Sequence, residues 1–348
     1  MSIKNGIRDT VSELLYMAGV TSPKWCGRSR FSIVTFHRVL PNAQRHAYPF
    51  PGLAVTPEEF DSFMMYFTEH FDCGTLEAQH DRYMNGEDAA RPLLAITFDD
   101  AQYDNYVNAR PILARHQINA SFFVPVVAVE RQELLWHDRL GFAILQLLGQ
   151  VDSGREKKLM QILDGAGLSP IGSRDLVGNI VEASKSMQLQ ARLSLIEKLA
   201  DASGTYNFPE FARLMTFSEI AELAADGHEI GSHSMTHCLM TECDDQSLMY
   251  EIAESRRVLQ TRLGLSIESF CYPNGNSDTG TARAVAKAGY RRAVTTTWGG
   301  NSRNGDKFQL HRYNMDARYM SDSNGKIKPA VLAFKMSGFY PGLNWRLL

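Results

Sequence analysis

Apolar positions along this chain fall into two rhythms. Short runs rich in β-branched and aromatic residues read as strands: "FSIVTFHRV" (31–39), "PLLAITFDD" (92–100), "ASFFVPV" (120–126), "HEIGSH" (228–233), "SFCYP" (269–273), "YRRAVTTT" (290–297) and "FQLHRYNM" (308–315). Between them the spacing turns helical. "TPEEFDSFMMYFTEHF" (56–71) opens with a helix-start signal, and "FSEIAELAADG" (217–227) closes on Gly227. "NYVNARPILARHQ", "DDQSLMYEIAESRRVLQTRLG" and "DTGTARAVAKAG" are helical by the same criterion. Strands alternating with helices imply a parallel sheet with helical crossovers.

From about 130 to 215 the periodicity is helical throughout, as in "HDRLGFAILQLL" and "QARLSLIEKLADA". No internal repeat, low-complexity tract or linker interrupts the chain. The expectation is a single α/β domain over residues 1–348, with an N-terminal helix in 1–25 and a helical insertion at about 130–215. That helix should pack through a side formed by Val11, Leu14, Leu15 and Met17. A surface-lying contact with a membrane is the alternative for the same stretch.

Composition narrows the classes. The 44% hydrophobic fraction supplies a large core, and with a net charge of −3 nothing suggests a nucleic-acid footprint or a polybasic membrane patch. No window approaches the ~18–20 apolar residues of a membrane span, and "MSIKNGIRDTVSELLYMAGV" lacks the apolar core of a signal peptide. Five scattered cysteines fit a reducing compartment, so a cytoplasmic location is expected. Cys238 and Cys243 lack a second close cysteine pair and fit buried free thiols better than a zinc knot.

The chemistry concentrates at strand ends. Asp99 and Asp100 stand together at the end of an apolar run, and neighbouring carboxylates disfavour each other's ionisation unless a cation or proton intervenes. His233 and His237 follow another strand; on a helical turn there, positions i and i+4 share one face and place both imidazoles within reach of one ion. In a (β/α) barrel all such ends meet at one face. Two imidazoles and one carboxylate would hold a metal with open positions, leaving the second aspartate free as a base.

"TFDD", then "GSHSMTH", then "FCYPNG" resembles the polysaccharide deacetylase family, the NodB-homology domain of carbohydrate esterase family 4, over roughly residues 31–315. The resemblance implies a distorted (β/α)7 barrel and a divalent metal, usually Zn2+, serving hydrolysis of an N-acetyl group on a hexosamine. By position it makes Asp99 the general base, with Asp100, His233 and His237 as metal ligands. Tyr272, Pro273 and Asn274 would line the sugar groove, the Asn274 N–H holding the oxyanion, with Leu310 and Trp298 completing the substrate site. The general acid falls to His311 or His37.

Departures accompany the match. Ala101 replaces the family's glycine, which is tolerable unless the backbone there needs a positive φ. Cys271 replaces the arginine that orients the catalytic aspartate, and the acid that partners this arginine is absent too. Losing both members of an ion pair is self-consistent and marks a divergent subgroup. In the insertion, Trp136, His137, Asp138 and Arg139 suit either sugar contacts or helix-start packing.

The expected substrate is an N-acetylated sugar or saccharide, nucleotide- or lipid-linked or part of a growing exopolysaccharide. A deformylase of a formamido sugar and a non-catalytic carbohydrate-binding relative are the alternatives.

Overall fold

The computed structural model describes residues 3–26, 30–149, 153–168, 175–204, 208–322 and 324–339. Its main element is a curled sheet of eight parallel strands: β1 (Ser32–Phe36), β2 (Asp72–Gly74), β3 (Leu93–Phe98), β4 (Ser121–Val124), β5 (Glu229–Ser232), β6 (Ser269–Cys271), β7 (Arg292–Val294) and β8 (Tyr313–Asn314). The order is β8-β1-β3-β4-β5-β6-β7, with β2 also paired to β3. Every residue of β3 is buried, which explains its unbroken apolar run in place of an alternating one.

The segment 310–314 joins the two ends of the curl. Leu310 bridges Val294 at the end of β7, while Tyr313 and Asn314 pair with Val34 and Thr35 of β1. "FQLHRYNM" therefore does not form one continuous strand. It crosses from the last strand to the first, and only Tyr313–Asn314 enters the ladder.

The helix-start signals act as capping boxes. Thr56 and Glu59 cap each other's backbone N–H groups at the start of Pro57–His70, and Thr216 and Glu219 do the same for Phe217–Ala225. The N-terminal stretch forms two helices, Ile3–Met17 and Pro23–Cys26. Contrary to the expected packing, the first buries Arg8 and Ser12 and exposes Ile7, Val11, Leu14 and Met17. It packs against the helix Pro329–Met336, and Lys328 Nζ reaches Asp9 Oδ2 at 2.8 Å. A polar anchor thus overrides the apolar stripe.

Contacts divide the chain into two compact units. The first comprises 1–40, 52–132 and 214–348 and carries the curled sheet; the second comprises 41–51 and 133–213. The second is helical, with Leu140, Ile144, Leu147, Leu159, Leu195 and Leu199 in its core. Within it Asp138 is fully buried and accepts from the Tyr48 hydroxyl at 2.9 Å, while the Arg192 guanidinium lies 4.8 Å over the Trp136 ring. Asp138 and Trp136 thus serve this unit's packing, while His137 and Arg139 are half-buried. Among the described residues, no helix is long and apolar enough to cross a membrane.

Two buried histidines make the first unit acid-sensitive. Burial pushes His80 down to about 4, helped by the Arg292 charge, and burial pushes His228 down to about 4 as well. The unfolded chain takes up these protons near pH 6.5, so stability is complete above that value and falls as pH drops towards 4. Each histidine costs at most roughly 2–3 kcal/mol across that window. Denaturant midpoints measured at pH 7.5 and 4.5 should differ accordingly. His228→Asn, which keeps an acceptor for the Ala120 N–H, should shrink the difference.

Candidate active site

The site lies at the C-terminal ends of β1, β3, β5 and β6, where the parallel strands aim their loops at one face. After β3 the backbone turns through two left-handed residues, Asp100 (φ 73°) and Ala101 (φ 51°). Ala101 therefore occupies a conformation that glycine adopts without strain. An alanine there costs about 1–2 kcal/mol. The Met215 N–H, 2.8 Å from the Ala101 carbonyl, and the Gln102–Leu214 bridge hold the turn.

The two carboxylates then part company. Asp100 is buried, and its Oδ1 lies 3.4 Å from His233 Nε2 and 3.2 Å from His237 Nε2. Burial alone would raise its pKa, yet the two imidazoles against it hold it well below the usual carboxylate range. His233 Nδ1 sits 2.8 Å from the Cys271 carbonyl, which fixes that nitrogen as an N–H donor and leaves Nε2 facing Asp100.

The ligand atoms of Asp100, His233 and His237 all lie within 4.8 Å of one another. Ligands placed tetrahedrally at ~2.0–2.2 Å from zinc would stand roughly 3.3–3.6 Å apart, so this donor set fits a divalent ion.

The loop bearing both histidines is itself tied down. Ser234 (φ 68°) and His237 (φ 58°) are left-handed, and the buried Glu251 carboxylate accepts from the N–H groups of Met235 (3.0 Å) and Thr236 (2.9 Å) and from the Thr236 hydroxyl (2.6 Å). Sequence reasoning missed Glu251, which sits mid-helix without a motif. Glu251→Ala should weaken metal affinity by about 10–100-fold in a chelator competition titration.

Asp99 faces a different partner. Arg312 Nη1 lies 2.8 Å from Asp99 Oδ1 and Nη2 lies 2.7 Å from Oδ2, a bidentate pair with both side chains buried. The guanidinium also reaches the Thr295 carbonyl, the Thr35 and Thr97 hydroxyls and, at 3.3 Å, Cys271 Sγ. Burial would raise the Asp99 pKa, but the charge and hydrogen bonds of Arg312 hold it below the ordinary carboxylate value. The expectation that the orienting arginine is lost is thus corrected. A guanidinium reaches the aspartate from residue 312, and Cys271 makes room beside it.

The remaining predicted residues separate. His37 Nε2 lies 3.8 Å from Asp99 Oδ2, and its buried Nδ1 has no hydrogen-bond partner among the described residues. The backbone of His311 is clamped by the Asn301 side chain at 2.7 and 2.9 Å, and its ring lies against Gly299. Tyr272 is fully buried and donates its hydroxyl to the Phe308 carbonyl at 2.9 Å, so it supports the loop from beneath instead of lining a groove.

Pro273 is buried, and Leu310 joins a core cluster with Phe31, Cys271 and Val294. Trp298 stacks edge-on against Tyr313. Asn274 is left-handed (φ 57°), and Gly275 beside it approaches Thr296 so closely that a Cβ would sit 2.0 Å from Oγ1.

The structure thus sets a carboxylate–imidazole cluster at the strand ends of a curled parallel sheet. The profile of the polysaccharide deacetylase family matches residues 86–293, more than half of the chain. A putative polysaccharide deacetylase, YxkH of Bacillus subtilis (strain 168), is 30% identical over 98 residues, covering 28% of this chain and 35% of that protein. The aligned stretch is thus about a third of the relative's length.

The fold is similar to that of the Streptococcus pyogenes deacetylase PplD in complex with acetate, with a TM-score of 0.59 and 18% identity over 88% of this chain and 98% of that one. IcaB from Ammonifex degensii gives 0.52 and 16% identity over 88% and 97% of the two chains. The protein BA0330 from Bacillus anthracis gives 0.53 and 15% over 86% and 69%. The chain belongs to the polysaccharide deacetylase family.

Proposed function

We propose that this protein is a metal-dependent hydrolase that removes the N-acetyl group from an N-acetylated sugar or saccharide during cell-surface or exopolysaccharide synthesis. The observation that carries the reading is the convergence of Asp100 Oδ1 with both imidazole Nε2 atoms beside an arginine-held Asp99. Asp100, His233 and His237 would hold the divalent ion, zinc by the chemistry of the donors. When bound, such an ion acidifies water and polarises the acetyl carbonyl.

Asp99, kept ionised and oriented by Arg312, takes the proton of the attacking water. The Asn274 N–H is assigned to the developing oxyanion. His37 or His311 delivers the proton to the departing amine, and His37 stands nearer the carboxylate pair.

The test is acetate release from N-acetylated sugar nucleotides and lipid-linked saccharides, with and without chelator. Asp99→Asn should retain its metal and lose about 10²–10⁴ in kcat. Full activity in that variant would remove Asp99 from the base role. Formate released from formamido sugars with no acetate from any acetylated substrate would change the acyl group. Binding without release of either acid would leave a carbohydrate-binding relative.

A further inference from the structure

Cys238 and Cys243 take no part in the chemistry proposed above. Their Sγ atoms lie 3.2 Å apart, set at that distance by the short turn Met240–Glu242 between them. This is only about 1 Å beyond the ~2.05 Å of a disulfide bond. Neither thiol belongs to a group of three or more metal-ligating side chains among the described residues.

Both side chains are half-buried, and Cys243 lines a groove of about 360 Å³ together with Met240, Thr281 and Ala284, which lets a small solute reach it. Cys271, in contrast, is fully buried against Arg312.

We propose that Cys238 and Cys243 form a reversible thiol–disulfide site whose co-reactant is a small disulfide such as oxidised glutathione. The Cys243 thiolate attacks one sulfur of the small disulfide, forming a mixed disulfide and releasing one small thiolate. The Cys238 thiolate then attacks Cys243 Sγ, which closes the internal bond and releases the second small thiolate. Two electrons pass from the protein to the small disulfide, and the two protein thiol protons go to the released thiolates. Cys238 directly follows His237, so the bond fastens the end of the histidine loop that Glu251 does not hold.

The test uses the full chain with oxidised glutathione, thiol titration and peptide mass mapping. Two thiols should disappear, the linked 238 and 243 peptides should lack two hydrogens, and dithiothreitol should restore both. Cys243→Ser should form no internal bond. A separate glutathione on each cysteine, or two unreacted thiols in folded protein, would overturn the proposal. One readout rests on the metal reading: chelator should withdraw the ion several-fold more slowly from the oxidised form. Equal rates would overturn the fastening of the loop and leave the thiol result standing.

Discussion

Asp100→Ala protein is expected to emerge from purification without its divalent ion and to release acetate at least roughly 10³-fold more slowly than the parent chain. That magnitude follows from the several kcal/mol that a bound cation contributes to such a reaction, at 1.36 kcal/mol per tenfold change in rate. Asp100 supplies the only anionic donor in the cluster with His233 and His237, and its Oδ1 faces both Nε2 atoms at 3.2–3.4 Å. Two imidazoles alone are a weak neutral pair, and alanine leaves them facing each other in a buried site.

Asp100→Asn separates charge from shape: an amide oxygen occupies the same place but does not neutralise a cation, so it should retain metal poorly too. Elemental analysis against thermal melting decides the matter, because the parent and both variants should melt cooperatively when prepared metal-free. Stoichiometric metal in Asp100→Ala, with full turnover, would show that the ion binds elsewhere.

The parts of this site that follow local rules were open to sequence reasoning. "LLAITF" announces a strand buried on both faces, and the carboxylates at its end inherit their position from it. Thr56-Pro57-Glu58-Glu59 carries its capping box in four consecutive residues, whereas His233 and His237 meet across a loop with left-handed Ser234 and His237 and not on the helical turn their spacing suggests.

What stayed hidden depends on closure of the sheet. Arg312 reads as one cation in a strand-like run, and only the crossing of 310–314 between β7 and β1 drives its side chain inward to Asp99. The inverted packing of the first helix is non-local for a separate reason, since its partner Pro329–Met336 lies more than 300 residues further along the chain. The family resemblance assigns Tyr272 and Leu310 to the substrate site, but both side chains are buried and take a supporting place. A positive φ at Ala101 has no composition signal at all, since the residue there is the wrong one for the conformation.

Arg312→Met should lower kcat by roughly 10²-fold or more, through lost orientation of the general base, and destabilise the fold by about 3–5 kcal/mol by stranding a buried carboxylate. The guanidinium is fully enclosed and every one of its nitrogens is used: Nε on the Thr295 carbonyl, Nη1 on Asp99 Oδ1 and two threonine hydroxyls, Nη2 on Asp99 Oδ2 and Cys271 Sγ. Arg312→Lys should rescue little, because a single ammonium cannot bridge both carboxylate oxygens while satisfying the threonines.

The loss of stability and the loss of rate can be told apart with the double variant Arg312→Met/Asp99→Asn. Neutralising both partners removes the stranded charge and should recover much of the melting temperature while activity stays absent. A second double variant places the guanidinium back on β6: Cys271→Arg with Arg312→Ala should regain part of the kcat that Arg312→Ala alone loses, since both positions open onto the same Asp99 carboxylate. Wild-type kcat in a folded, metal-loaded Arg312→Met protein would reduce this arginine to a structural strut and leave Asp99 oriented by β3 and His37 alone.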